Sequence, residues 1–192
     1  METIDSNTKD IERSIRTILT YIGEDPDREG LKDTPLRIIR MWKEIFRGYK
    51  EDEKPKITTF DNEDGMTGMI FDSGDFYSMC EHHMLPFFGV YHFAYIPSKD
   101  GRILGISKVA RVVGYCAARL QLQERLAKDV IDMLSDALDG KAEGFAIMMK
   151  GKHLCKTMRG VRNNGEMRVA YFTGVFNRDQ SLRDQFLHIS EK

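Results

Sequence analysis

The sequence predicts an α+β domain: a mainly antiparallel sheet with helices on one face. Two observations carry this. Apolar residues recur at helical spacing up to about residue 48, alternate between 69 and 97, return to helical spacing between 107 and 140, and alternate again from 144 to 176. The order is therefore helices, two strands, two helices, two strands, helix. Strands paired along the chain and segregated from paired helices define α+β architecture rather than a parallel sheet. The second observation is the lack of any repeat, low-complexity tract or long linker in the 192 residues, which places the chain in one structural domain. Its expected parts are an N-terminal helical region and connector over 1–68 and a sheet-bearing core over 69–192.

In the first helix Ile11, Ile15, Ile18, Leu19 and Ile22 form the stripe, and Gly23-Glu24-Asp25-Pro26 stops it. Thr34-Pro35 reads as an N-cap followed by Pro at the first helical position, opening a helix that carries Ile38, Met41, Trp42 and Ile45 and ends near Gly48. Residues 50–68 are charged and turn-rich and read as a mobile connector. Strands are expected over 69–80 and 89–97; in the second, Tyr91, Phe93 and Tyr95 point one way and Val90, His92, Ala94 and Ile96 the other. Asp100-Gly101 marks a turn. Ser107 is the expected N-cap of a helix bearing Val109, Val112, Val113, Cys116 and Leu120. Leu126, Val130, Met133, Leu134 and Ala137 mark the next helix, stopped at Gly140. Strands near 144–153 and 166–176 flank Asn163-Asn164-Gly165, a hairpin turn, and Leu182, Phe186 and Ile189 mark a short last helix. A sheet covered on one face keeps two open edges, and open edges invite a second copy.

Lys plus Arg is 29 and Asp plus Glu 30, a formal net charge of -1, which speaks against a general nucleic-acid binder. No apolar run approaches a membrane span, and the first residues lack the basic start of a signal peptide. Three cysteines, widely spaced, form no disulfide framework. A reducing, cytoplasmic setting is expected, in which Cys with His points to metal or catalysis. The eleven methionines read as core filler.

The densest chemical signal is Cys80-Glu81-His82-His83, and the second is His153-Leu154-Cys155, each at the end of an expected strand. Thiolates with imidazole are a zinc ligand set. Cys80 and His83 can bite one ion across a turn, and Cys155 is the third ligand. With no fourth strong ligand evident, one position stays open for water, as catalytic zinc needs. On a continuing strand His153 and Cys155 would share a face about 6.5 Å apart, setting His153 beside the ion as an acid or base; His82 could act similarly next to His83. The rival reading of the same residues is a cysteine nucleophile with a histidine base. Cys116 sits on an apolar helical stripe and reads as inert core; His92 and His188 read as ordinary structural residues. Lys108 and Arg111, one turn apart at a helix start, make a candidate anion site, with Arg159 and Arg37 as further candidates. Each alone is otherwise a solvated surface charge. Gln123-Glu124 opens the next helix, where a carboxylate can accept the paired N–H donors of guanine or simply favour the helix dipole.

Five segments together resemble the GTP cyclohydrolase I family: 29–37 (EGLKDTPLR), 78–87 (SMCEHHMLPF), 105–111 (GISKVAR), 119–126 (RLQLQERL) and 153–160 (HLCKTMRG). The resemblance runs from about residue 10 to 189. It implies the tunnelling fold, with a ββααββ core and an N-terminal helical extension, and a ring of five subunits stacked in pairs as a homodecamer with interfacial active sites. It implies one zinc ion per subunit on Cys80, His83 and Cys155, and GTP as substrate. Water would attack guanine C8 while His153 protonates N7. Formate would leave, and Ser107 and His82 would handle protons in the ribose rearrangement that ends in 7,8-dihydroneopterin triphosphate. Gln123 and Glu124 would hold the guanine edge, and Lys108, Arg111, Arg159 and Arg37 the triphosphate. Two departures stand out: Ile106 where the family more often has Leu, and Glu166-Met167-Arg168-Val169-Ala170-Tyr171-Phe172 where it usually has a Ser/Thr-rich strand. The competing classes are a catalytically silent zinc- and nucleotide-binding protein, and a related pterin- or purine-handling enzyme of the same fold.

Overall fold

The computed structural model describes residues 6–191. They divide into two compact units between Arg47 and Gly48. The N-terminal unit is a helical pair, α1 (Ser6–Tyr21) and α2 (Thr34–Ile45), closed over Ile15, Leu19 and Ile39. The residue before α2 is Asp33, in helical backbone geometry and without a side-chain cap bond, so the cap position falls one residue before the expected Thr34, which is itself the first helical residue; Pro35 keeps its place in the first turn.

The expected connector over 50–68 contains a short strand of the second unit. Residues Thr59–Asp61 (β1) pair antiparallel with Arg102–Leu104 (β4). Arg102 holds them together, donating to the Asp61 carboxylate at 2.8 Å and the Thr59 hydroxyl at 2.7 Å. The main sheet is antiparallel through β2 (Ile70–Cys80), β3 (Pro86–Pro97), β6 (Ala142–His153) and β7 (Met167–Phe172). A two-residue strand, β5 (Leu120–Gln121), joins β2 in parallel at Met79 and Cys80. Helices α3 (Lys108–Ala117) and α4 (Gln123–Ala137) cover one face. This is the expected ββααββ order.

Alternation decides which residues meet those helices. Tyr91, Phe93 and Tyr95 face Met149, Ile147 and Phe145 across the β3–β6 ladder, and all six are buried with Val112, Cys116, Leu126 and Leu134. The opposite phase, Ala94, Ile96, Ala146 and Met148, packs under Phe176 and Phe186 of two short C-terminal helices, α6 (Val175–Arg178) and α7 (Gln180–Ser190). The second face thus has a partial cover of its own. The Asp179 carboxylate caps α7, accepting from the N–H of Ser181 and Leu182. The last strand is shorter than the expected 166–176. At Gly174 φ is +55° and an added Cβ would lie 2.1 Å from the Glu143 carbonyl oxygen, so the chain turns there into α6.

Hydrogen bonds orient α3 along the sheet. The Leu104 N–H donates to the Tyr95 hydroxyl at 2.9 Å, and the Ser78 hydroxyl donates to the Ala117 carbonyl at 2.7 Å. The helix therefore starts at the Tyr95 end and finishes at the Cys80 end. Its ten residues span about 15 Å.

Candidate metal centre

Strand β2 ends at Cys80, and the chain folds back at once. The N–H groups of His83 and Met84 both donate to the Cys80 carbonyl, at 3.3 and 2.8 Å, and Met84 takes φ +51°. This turn carries the His83 ring back over Cys80. On the neighbouring side β6 ends at His153, opposite Phe87. The strand does not continue to Cys155 as expected. Residues Leu154–Thr157 coil into a single turn, α5, so His153 and Cys155 do not share a strand face. The thiol instead swings toward the Cys80 turn. The ligand atoms of Cys80, His83 and Cys155 all lie within 4.8 Å of one another, and among the described residues no other such group of three exists.

The donor set suits a divalent ion. Burial pushes the Cys155 thiol up from its ordinary range, and the hydrogen-bonded Cys80 thiol pushes it further. Two thiols this close oppose each other's ionisation, and a dication between them removes that opposition. The third cysteine makes the contrast. Cys116, on the inner face of α3, is fully buried and its pKa is pushed up to about 12, mainly by burial, so it is core, as expected. Arg159 enters from the end of α5: its Nη1 donates to Nε2 of His83 at 2.7 Å. A guanidinium only donates, so that nitrogen carries the ring's lone pair. A neutral imidazole has one such pair, so His83 cannot hold an ion and accept from Arg159 at once.

His153 stands beside this group. Its ring stacks on Phe87, centroids 4.5 Å apart and planes 6° from parallel. Its Nε2 lies 2.8 Å from Oε1 of Gln123. Burial lowers its pKa, and the Glu124 carboxylate opposes that shift. Glu124 is exposed in the first turn of α4. Gln123, expected to share the guanine edge with it, has a different setting. It is fully buried, and its amide N–H groups go to the carbonyls of Met149 at 2.9 Å and Met167 at 3.1 Å. His82 is exposed, its Nε2 4.0 Å from Glu81. Arg125 grips the Glu81 carboxylate at 2.6 and 3.3 Å and holds its pKa below the ordinary range. The Glu81–Arg125 and Gln123–His153 contacts were beyond sequence reasoning. Their only sequence signal is that Glu81, Gln123 and Arg125 lie within the chemical motifs.

Within the second unit the chain does not bring its helix-start candidates here. Ser107, Lys108 and Arg111 open α3 at the Tyr95 end, and Ser107 stands at the cap position without a side-chain cap bond. Phe87 and Tyr95 are eight residues apart on β3, about 26 Å at the rise of an extended strand. Arg37 lies on α2, its guanidinium 3.8 Å from the Asp33 carboxylate.

Fold and site together define a class: a ββααββ protein of the tunnelling fold with a thiol–imidazole group at one end of its sheet. The family model for GTP cyclohydrolase I matches residues 11–191, and the chain belongs to that family. It is 46% identical over 178 residues to GTP cyclohydrolase 1 of Caldanaerobacter subterraneus subsp. tengcongensis, covering 92% of this chain and 93% of that protein. It is 44% identical to that of Thermoanaerobacter pseudethanolicus, covering 93% and 94%, and 45% identical to that of a Geobacillus strain, covering 95% and 96%. Among solved structures, an archaeosine synthase QueF-Like in the apo form aligns with a TM-score of 0.41 and 18% identity over 55% of this chain and 93% of that one, too remote to bear on activity. No helix among the described residues is long and apolar enough to cross a membrane.

Proposed function

We propose that the protein hydrolyses GTP at guanine C8, releases formate, and rearranges the ribose to yield 7,8-dihydroneopterin triphosphate. One zinc ion per subunit would be held by Cys80, His83 and Cys155. The observation that carries this reading is the convergence of those three donors with His153 at one end of the sheet. Bound there, zinc supplies the Lewis acidity that makes a water nucleophilic near neutral pH. His153 delivers a proton to purine N7 as C8 is attacked and the C8–N9 bond opens to a formamide. A second water then cleaves the formamide to formate. Ser107 and His82 move the protons of the Amadori-type rearrangement, and ring closure returns one water, so the net consumption is one water per GTP. Glu124 accepts the guanine ring N–H and exocyclic amino hydrogens.

Lys108, Arg111, Arg159 and Arg37 are assigned to the triphosphate. A site needing both ends of the sheet cannot be closed by one chain. This supports a shared site in which one copy supplies the metal group and another supplies Ser107, Lys108 and Arg111. The open edges fit that assembly: β7 is one, and β2 pairs on its outer side only at Met79 and Cys80. A homodecamer of two pentamers would satisfy both. Thiol ligands need reducing surroundings, which fits a cytoplasmic enzyme.

Zinc-loaded protein incubated with GTP should release one formate per product, with the mass of dihydroneopterin triphosphate. Tight GTP binding without formate release would replace this reading with that of a silent binding protein.

A further inference from the structure

We infer that Gln123 is a positioning residue for His153: it selects the ring nitrogen through which His153 exchanges its proton with the purine. The inference rests on the GTP reading for its consequence, but its structural content stands on the amide geometry alone. Both N–H groups of the Gln123 side chain are taken by backbone carbonyls, those of Met149 and Met167. Turning the amide over would set its oxygen against two carbonyl oxygens, so the orientation is forced. Oε1 therefore faces His153 and can only accept. Across 2.8 Å the Nε2 of His153 must donate, and a neutral ring then carries its lone pair on Nδ1.

Two further contacts fix the ring and the amide it faces. Phe87 lies flat against it, which sets its plane. Gly151 lies under the amide, where an added Cβ would come 2.6 Å from Oε1 and 3.2 Å from the Phe76 ring. Only a residue without a side chain leaves Gln123 its place. Strands β6 and β7 and the first turn of α4 thus converge on a single buried acceptor. Its one free task is to hold the Nε2 proton of His153, so the proton that goes to purine N7 is one taken up on Nδ1, the ring passing through imidazolium and returning to this neutral tautomer. Nδ1 is the ring nitrogen left for a ligand.

Neutron diffraction from deuterated crystals of the zinc-loaded protein reads this directly. Deuterium on Nε2 of His153, with none shared to Gln123 from the other direction, is expected. Deuterium on Nδ1 with a bare Nε2 overturns the inference, whatever the protein does with GTP. Conversely, the expected tautomer in a protein that releases no formate would sink the function and leave the tautomer lock standing. Kinetics add a second arm. Gln123→Met should keep its zinc and its KM for GTP while kcat falls about 10- to 100-fold, the usual cost of losing such an outer partner. On a His153→Ala background the same change should cost little more, because Gln123 acts through that ring. A raised KM with kcat retained would show a guanine contact instead, and an undiminished loss on the His153→Ala background would show a role independent of His153. Should Gln123→Met fail to fold, the neutron measurement on the unaltered protein still decides.

Discussion

At the Cys80 end of the sheet, side chains from β2, β3, β6, α4, α5 and the turns after β2 and α5 hold one another: Cys80 with Cys155, His83 with Arg159, His153 with Gln123 and Phe87. At the Tyr95 end, Ser107 and Arg111 are exposed at the start of α3 and Lys108 is half-buried beside them. Both ends rest on the same ladder, yet one is a finished chemical group and the other a set of charges awaiting something. The three donors Cys80, His83 and Cys155 already lie together on one chain, so an ion there does not wait on a second copy. Charges that neutralise a phosphate need only be delivered to it, and another copy can do that.

The largest expected effect breaks the finished end. Cys155→Ser replaces a soft thiolate by a hydroxyl that stays protonated, so zinc stoichiometry should fall to near zero and GTP turnover by on the order of a thousandfold or more. Zinc analysis and formate release on one preparation check it; full activity in the variant would undo the assignment of the ion. Both thiols must lose protons to hold the ion, so zinc affinity should also weaken as pH falls.

The next effect tests the awaiting end. Lys108→Ala removes one charge-assisted contact to phosphate and should cost about 10- to 100-fold in kcat/KM. If the site is shared, Lys108→Ala and Cys155→Ser protein mixed, unfolded and reassembled together should regain activity that neither has alone. Roughly one site in four is then intact in a random closed ring. No recovery in assembled mixtures would place Lys108 and the metal group of the active site on one chain, against the direction of α3.

What could be read from the sequence follows the same division. Periodicity located the main strands and helices because each half-buried face imposes its spacing on a run of residues. It missed β1 and β4, whose three-residue pairing depends on Arg102 reaching across some forty residues to Asp61 and Thr59. It ran β6 on to Cys155 and β7 on to residue 176, because nothing in alternating apolar residues announces the coil at Leu154 or the turn at Gly174. The donors Cys80, His83 and Cys155 were legible because few residue types bind zinc. Adjacency of Gln123 and Glu124 in the sequence suggests a shared task, but their settings differ. On a helix, neighbours point about 100° apart, and here one faces the core and the other solvent.

The smallest expected effect concerns Arg159, a triphosphate candidate that lies beside the metal group. It binds His83 through the lone pair that an ion would need. Removing it should therefore tighten zinc binding, where loss of a true ligand would weaken it. The contact is a single exposed hydrogen bond, worth about 1 kcal/mol, so Arg159→Ala should bind zinc about fivefold more tightly in competition with a chromogenic chelator. Loss of a positive charge near a cation would act in the same direction, and Arg159→Lys separates the causes. It keeps the charge but lacks the rigid guanidinium reaching Nε2 of His83. Zinc affinity close to that of Arg159→Ala would assign the effect to the shared lone pair, and affinity close to the unaltered protein would assign it to charge. Unchanged or weaker binding in Arg159→Ala would show that His83 and Arg159 do not compete with the ion. In either variant KM for GTP should rise, since an arginine released from His83 is the one free to meet the triphosphate.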